Sequence, residues 1–263
     1  DEQLDEARTP PTLILPRLQQ AVANGVPIAD LRPQHRRNEW LWQAANGRDQ
    51  LRMRVAFALS EIFVVSDRDV ADSNQTIYRI ADYQDTLARG AFGSYRTLLE
   101  SVSRHPMMGY YLSHLRNQKA NAATGRVPDE NYAREVMQLF SIGLVELNED
   151  GTARTGAGGA TLETYTPADI SGLAKVFTGF SWACPDWPDN NCFFGGSNNG
   201  SSDPDRGFKP MLGYPQYHST EVKTFLGTTI AAQATSAPDT SLTTALDAIA
   251  VVRLVSGADV ACA

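Results

Sequence analysis

Histidine and cysteine are scarce in this chain, with four and three residues among 263. No HExxH or HxH spacing occurs, so we predict neither a metal site nor a cofactor. The alternative is a metal held by His105, His114 and His218 with Asp169. It competes with structural hydrogen bonding by the same side chains. A phosphate-binding loop and a dinucleotide fingerprint are also absent from the sequence.

Positive charge is in short supply as well. The chain has 23 Lys and Arg residues against 30 Asp and Glu, a net charge of -7. Nucleic acid is therefore excluded as a partner, because binding it needs a basic face. No apolar run reaches the roughly 18 residues of a membrane span, so no transmembrane segment is predicted. The chain opens on Asp1 rather than Met, and we expect residues upstream to have been lost.

Helical periodicity and caps dominate the first two thirds of the chain. The predicted fold class is mainly α: a multi-helix globular domain with a long irregular loop rich in aromatic residues and glycine, and one short hairpin at Asp150-Gly151. The predicted domains are a helical core over 1–181, an irregular excursion packed on it over 182–216, and a C-terminal helix with a ragged, truncated end over 217–263. Helices are predicted over residues 13–23, 38–45, 49–65, 76–88, 93–103, 107–115, 129–143, 167–179 and 241–255.

One predicted helix carries a row of polar groups. Asp129 is placed to cap its start, and Gly143 suits its end. Asn131, Glu135 and Gln138 fall at i, i+4 and i+7 and therefore share a face, while apolar residues between them form the stripe that docks to a core. An acid flanked by amides on one helix face is a candidate site for binding or acid-base chemistry.

Cys184 and Cys192 bracket a short loop that contains two prolines. This spacing favours a local disulfide in an oxidising compartment, worth roughly 2–3 kcal/mol on the chain-entropy estimate. Two unpaired thiols are the alternative. Trp182, Trp187 and Tyr217 belong to an aromatic group in and beside the irregular loop. Flat rings beside amides and carboxylates suit a sugar ring, although such aromatics equally serve to hold a long loop in place.

Five segments together resemble one bacterial protein family, domain of unknown function 1800 (DUF1800). They are Arg54–Ser66, His105–Leu112, Glu130–Gly143, Tyr165–Phe180 and Tyr217–Gly227. The resemblance implies an exported bacterial protein, so a secreted or periplasmic location is expected. Members of the family are often longer than this chain and continue with further helices where this one ends. The resemblance implies no settled activity.

Glu135 is the leading candidate for acid-base work. Glu61 and Arg54 lie two helical turns apart, and we predict that they join Arg134 and Glu135 in a charged network across two packed helices. If a substrate enters that network, Glu61 and Glu135 become paired carboxylates of the kind that hydrolyse glycosidic bonds. In the alternative, Glu135 pairs with a buried arginine and only fixes helix packing.

The leading functional hypothesis is an extracytoplasmic hydrolase that acts on a carbohydrate or another small molecule, with Glu135 and Glu61 as catalytic carboxylates. The residues predicted to bind substrate are Asn131, Gln138, Arg134, Trp182, Trp187, Tyr217 and His218. One alternative is a noncatalytic envelope or polysaccharide-binding module. Another is a serine esterase using Ser181 or Ser171, which needs a histidine near the hydroxyl. The sequence does not predict the oligomeric state.

Overall fold

A computed structural model describes residues 2–66, 74–196 and 203–251. The chain is 47% helical, and its described part contains ten α-helices and two small two-stranded sheets. The mainly α class is therefore confirmed. None of the described helices combines the length and the apolar character needed to cross a membrane.

The helices run in short succession along the chain. They are α1 Ile14–Ala23, α2 Pro33–Asn46, α3 Gln50–Ser60, α4 Asn74–Gly90, α5 Tyr95–Arg104, α6 Pro106–Tyr111, α7 Asn131–Gln138, α8 Pro167–Val176, α9 Asn190–Phe193 and α10 Pro238–Val251. The strands are β1 Phe180–Ser181, β2 Leu212–Gly213, β3 Lys223–Phe225 and β4 Thr228–Ile230. Every predicted helix is present with shifted ends, although the last part of the final one, 252–255, lies outside the described residues.

The chain folds as two compact units. Unit 1 comprises Asp1–Leu115 and Ser181–Leu212, and unit 2 comprises Arg116–Phe180 and Gly213–Ala263. The chain passes from one unit to the other after Leu115, Phe180 and Leu212. The predicted domains over 1–181, 182–216 and 217–263 stay a prediction.

Helix α4 lies at the centre of unit 1, where α1, α2, α3, α5 and α6 all contact it. Apolar side chains from α1 and α4, including Ile14, Leu18, Ile77 and Ala81, form one buried cluster. The sequence marks α4 as amphipathic, because its apolar residues recur at helical spacing. A helix with several packing neighbours buries more than one stripe of its surface.

Buried carboxylates fix the entry of the chain into α1. Asp85 of α4 accepts hydrogen bonds from the backbone N–H groups of Ile14 (2.7 Å) and Leu15 (2.9 Å). It therefore caps a helix whose own flanking residue, Leu13, makes no side-chain cap. Asp49 likewise binds the segment that precedes α1, because its carboxylate accepts from both the N–H and the hydroxyl of Thr12 at 2.7 Å.

Arg52 is the fully buried charge of α3. Its Nη1 donates to the carbonyl of Ala88 at 2.9 Å, and its Nη2 lies 2.9 Å from Glu6 Oε1. The guanidinium carbon sits 4.5 Å from the centre of the Phe92 ring. The chain thus surrounds this cation with a carbonyl, a carboxylate and an aromatic face.

Helix α8 organises unit 2 and contacts α7, α10 and β3. Thr166 and Asp169 form a capping box at its start, with Pro167 in the first turn. Gly172 lets β3 approach closely: a Cβ there would lie 1.8 Å from the carbonyl oxygen of Thr224. Any larger residue at this position would force the helix and the strand apart.

The regular hairpin of unit 2 is formed by β3 and β4, which pair antiparallel. Its turn contains Leu226 (φ 47°) and Gly227 (φ 74°), and both have a left-handed backbone conformation. At the predicted hairpin, Gly151 does turn the chain, and Asn148 N–H donates to Thr152 O at 2.8 Å. Only isolated bridges follow there, so that segment is a turn without regular strands.

Candidate functional site

Helix α7 of unit 2 carries the polar row predicted from the sequence. Asp129 Oδ1 accepts from the backbone N–H of Asn131, the first residue of α7, at 2.8 Å, while the capping residue itself, Glu130, makes no side-chain cap. Four side chains of one face are fully buried: Tyr132, Ala133, Val136 and Met137. On the other side Asn131 and Arg134 are exposed, while Glu135 and Gln138 are half-buried. The polar row therefore runs along the boundary between core and surface.

Glu135 has an unusual environment within this row. Its Oε2 atom is sealed from solvent, yet it accepts no hydrogen bond from any residue in the described parts of the chain. A buried carboxylate oxygen without a donor is costly. The helix thus holds an acceptor that no described residue of unit 2 uses.

Tyr165 lies beside this acid and was not predicted as a site residue. Its hydroxyl donates to Gln138 Oε1 at 3.2 Å. Burial raises the pKa of Tyr165, Arg134 lowers it, and the charges of Glu135 and Glu163 raise it. An acid, an amide and a phenol therefore share one small region of unit 2. The only local signal in the sequence for Tyr165 is that it immediately precedes Thr166, the capping residue of α8.

The charged network around Arg134 differs from the predicted one. Arg134 Nη2 lies 3.6 Å from Glu130 Oε2, its neighbour one turn earlier. Glu130 Oε1 also accepts from the hydroxyl of Ser171 at 2.5 Å. Ser171 therefore has a carboxylate partner, whereas the esterase hypothesis needs a histidine there.

Glu61 and Arg54 lie in unit 1, and both are exposed. Helix α3 ends at Ser60, and Glu61 is its C-terminal capping residue. Glu61 therefore follows the last turn of α3 and is not a buried charge of that helix. The catalytic pairing of Glu61 with Glu135 stays a prediction.

His218 is fully buried in unit 2 and both of its ring nitrogens are occupied. Nδ1 lies 2.7 Å from the carbonyl oxygen of Thr178, and a carbonyl only accepts, so this nitrogen carries the proton. Nε2 then accepts from the hydroxyl of Ser241 at 3.1 Å. Burial lowers the pKa of His218 to about 4, so the ring is neutral at pH 7. These contacts give His218 a packing role in unit 2, and its role in substrate binding stays a prediction.

The other histidines are also engaged. His105 Nε2 lies 3.2 Å from Asp82 Oδ2, and its Nδ1 accepts from the N–H of Met107. His114 Nε2 lies 2.9 Å from the carbonyl oxygen of Ser103. These contacts are the structural hydrogen bonds that competed with the metal hypothesis.

The aromatic loop is tied together locally. Cys184 and Cys192 form a disulfide, with Cα atoms 5.7 Å apart. Ser181 is buried and donates to the carbonyl of Phe193 at 2.5 Å, which leaves its hydroxyl engaged in packing. Trp182 is only 7% exposed, whereas Trp187 is 45% exposed. Tyr217, in unit 2, is half-buried, and its carbonyl accepts from the N–H of Lys119.

These features define a mainly helical protein with a carboxylate–amide site on one helix face. The chain belongs to the family described as protein of unknown function (DUF1800), whose sequence model matches residues 2–255 of the 263. The resemblance of the five segments is therefore confirmed. No curated protein and no solved structure matches the chain significantly.

Proposed function

We propose that the protein is an extracytoplasmic hydrolase that acts on a carbohydrate, with Glu135 as its acid or base. The observation that supports this proposal is the sealed Oε2 of Glu135 with no donor among the described residues. A ligand hydroxyl is the natural donor for such an oxygen. Acid-base catalysis requires a carboxylate that reaches the proton it transfers.

The neighbours of Glu135 suit a hydroxylated ligand. Gln138 offers an amide, and Tyr165 offers a hydroxyl whose present partner is that amide at 3.2 Å. Asn131 and Arg134 extend the same face toward solvent. Alternating donors and acceptors of this kind match the edge of a sugar ring.

Hydrolysis of a glycosidic bond requires a second carboxylate near the first. Glu163 is an exposed acid two residues before Tyr165, whose hydroxyl contacts Gln138 on the polar face of α7. We propose Glu163 as the candidate second carboxylate for the variant test below. Glu61, the partner predicted from the sequence, lies in unit 1 and remains the alternative.

The disulfide supports the proposed compartment. Disulfides persist in oxidising surroundings and are rare in the reducing cytosol. The Cys184–Cys192 bridge closes a loop of unit 1, and its presence favours the secreted or periplasmic location.

Chromogenic glycosides test the proposal. We expect the wild-type protein to hydrolyse at least one of them, Glu135→Gln to lose activity by about 100-fold or more, and Glu163→Gln to lose activity as well. Glu149→Gln is the matched control, because Glu149 is an exposed carboxylate in a turn of the same unit. Its rate should equal that of the wild type.

Two results would decide against the proposal. Equal rates for Glu135→Gln and the wild type would remove Glu135 from the reaction. Binding of oligosaccharides without turnover of any glycoside or short-chain ester would favour the noncatalytic polysaccharide-binding module.

A further inference from the structure

Trp182 in unit 1 lies against two arginines. The guanidinium carbon of Arg79, from α4, is 5.1 Å from the centre of the indole ring, and that of Arg206 is 5.2 Å away. Both distances are within the range of a cation–π contact. Two like charges therefore share one aromatic ring that is itself 7% exposed.

Arg79 has no compensating partner in the described residues. Its Nε is sealed from solvent without a hydrogen bond, and none of the ion pairs there includes it. Burial lowers the pKa of Arg79, Arg206 lowers it further, and Tyr110 raises it. A half-buried guanidinium with no carboxylate is costly, because an aromatic ring attracts the charge but accepts no N–H.

Arg206 is only slightly better satisfied. It donates one hydrogen bond, to the carbonyl of Gly195. The charge of Arg206 contributes to lowering the pKa of Asp203. That carboxylate is already bound by Lys209, whose Nζ lies 2.6 Å from it. Among the described residues, neither Arg79 nor Arg206 forms an ion pair with an acid.

The same unit contains a compensated version of this arrangement. Arg17 lies over Trp42 with its guanidinium carbon 3.7 Å from the ring centre. In that pair the guanidinium also forms an ion pair with Glu39. The arginine–tryptophan contact is therefore accompanied by an acid in one place and by a second arginine in the other.

Two glycines shape the space around the uncompensated pair. A Cβ on Gly207 would lie 2.7 Å from Arg79 Nε, and a Cβ on Gly195 would lie 3.2 Å from Trp182 Nε1. Gly195 also has a φ of 89°, which favours glycine. The backbone thus approaches both the guanidinium and the indole more closely than a side chain would allow.

We propose that Arg79, Arg206 and Trp182 form a binding site for an oxyanion, a carboxylate, sulfate or phosphate group carried by a ligand or free in solution. The guanidinium fork matches such groups in two parallel hydrogen bonds. The anion supplies the negative charge that Glu39 supplies to Arg17. This site is independent of the hydrolase proposal, since it lies in unit 1 and requires no residue of α7.

Isothermal titration calorimetry with glucuronate, glucose, inorganic sulfate and inorganic phosphate tests the site by measuring the affinity for each compound. We expect at least one of the three anions to bind and glucose not to bind. Arg79→Gln and Arg206→Gln should each weaken that binding about tenfold or more, since a charged fork is lost. Arg17→Gln is the matched control: it removes a guanidinium from the compensated tryptophan and should leave anion affinity unchanged.

A second variant keeps the test valid if Arg79→Gln is poorly folded. Gly207→Ala retains both charges but pushes the Arg79 side chain away, so anion binding should weaken while the far-ultraviolet circular dichroism stays the same. Binding of glucuronate would identify an acidic sugar as the ligand class. Binding of sulfate or phosphate alone would identify a free inorganic anion, and both results support the site. No anion binding to the wild type at millimolar concentration, or equal affinity in Arg79→Gln, Arg206→Gln and Arg17→Gln, would overturn it.

Discussion

Asp85 and Glu135 are both carboxylates on helices, but they differ in the hydrogen-bond donors that reach their oxygens. Asp85, in unit 1, receives two backbone N–H groups. Glu135, in unit 2, keeps a sealed oxygen with no donor among the described residues. The arginines differ in their partners: Arg52 has Glu6 and the carbonyl of Ala88, although its Nε makes no hydrogen bond, whereas Arg79 has no acid among the described residues.

This contrast separates charges that build the fold from charges that the fold leaves uncompensated. Burying a charge is costly unless partners replace the lost water. Asp85 and Arg52 have such partners and hold chain segments in place, although burial still raises the pKa of Asp85. Glu135 and Arg79 do not, and we infer that their partners are ligands. Stability and binding should therefore respond in opposite ways to substitution at the two kinds of position.

The largest expected loss of stability follows Arg52→Ala. The substitution removes a fully buried side chain from Ala88, Glu6 and Phe92, and should lower the free energy of unfolding by about 3–5 kcal/mol. Denaturant unfolding measures this value. Arg54→Ala on the same helix removes an exposed arginine and should change stability by less than about 0.5 kcal/mol. Equal effects of the two would mean that Arg52 is not a structural charge.

Asp85→Ala should be the next most damaging change. It leaves the N–H groups of Ile14 and Leu15 buried without acceptors, and we expect a loss of about 2–4 kcal/mol. Asp85→Asn keeps one acceptor oxygen and should lose less. Hydrogen exchange at the two amides gives a local readout: both should become less protected in Asp85→Ala. Unchanged protection would contradict the capping role.

The pH dependence of stability gives a smaller effect at the same residue. Burial raises the pKa of Asp85 from 3.8 to about 6. The folded state therefore binds the proton more tightly than the unfolded state, and this group's contribution falls as pH rises through about 4 to 6. Relative to Asp85→Asn, the wild type should lose about 1–3 kcal/mol over that window. If the wild type instead became more stable than Asp85→Asn as the pH rises, the raised pKa of Asp85 would be contradicted.

Local sequence features predicted the elements that are determined locally. The predicted helix over 167–179 starts where α8 does, because the Thr166 cap and Pro167 act within one turn. The same logic placed Asp129 at the start of α7. The β3–β4 hairpin was missed, since Leu226 adopts a positive φ that its residue type disfavours.

The proposed sites depend even more on contacts that local sequence patterns do not predict. The row on α7 was predicted because helical spacing brings Glu135 and Gln138 together. The contact of Tyr165 with Gln138 and the proximity of Arg206 to Arg79 join residues far apart in sequence. A periodic sequence pattern does not predict such contacts. The buried position of His218 likewise depends on packing by Thr178 and Ser241.

The most direct test of the central contrast is denaturant unfolding of four variants in parallel. Glu135→Gln and Arg79→Gln should keep the wild-type free energy of unfolding within about 1 kcal/mol, because each removes a charge that the fold leaves uncompensated. Asp85→Ala and Arg52→Gln should both fall outside that range. If the first two variants lose as much stability as the second two, Glu135 and Arg79 are structural charges, and the ligand sites proposed around them are wrong.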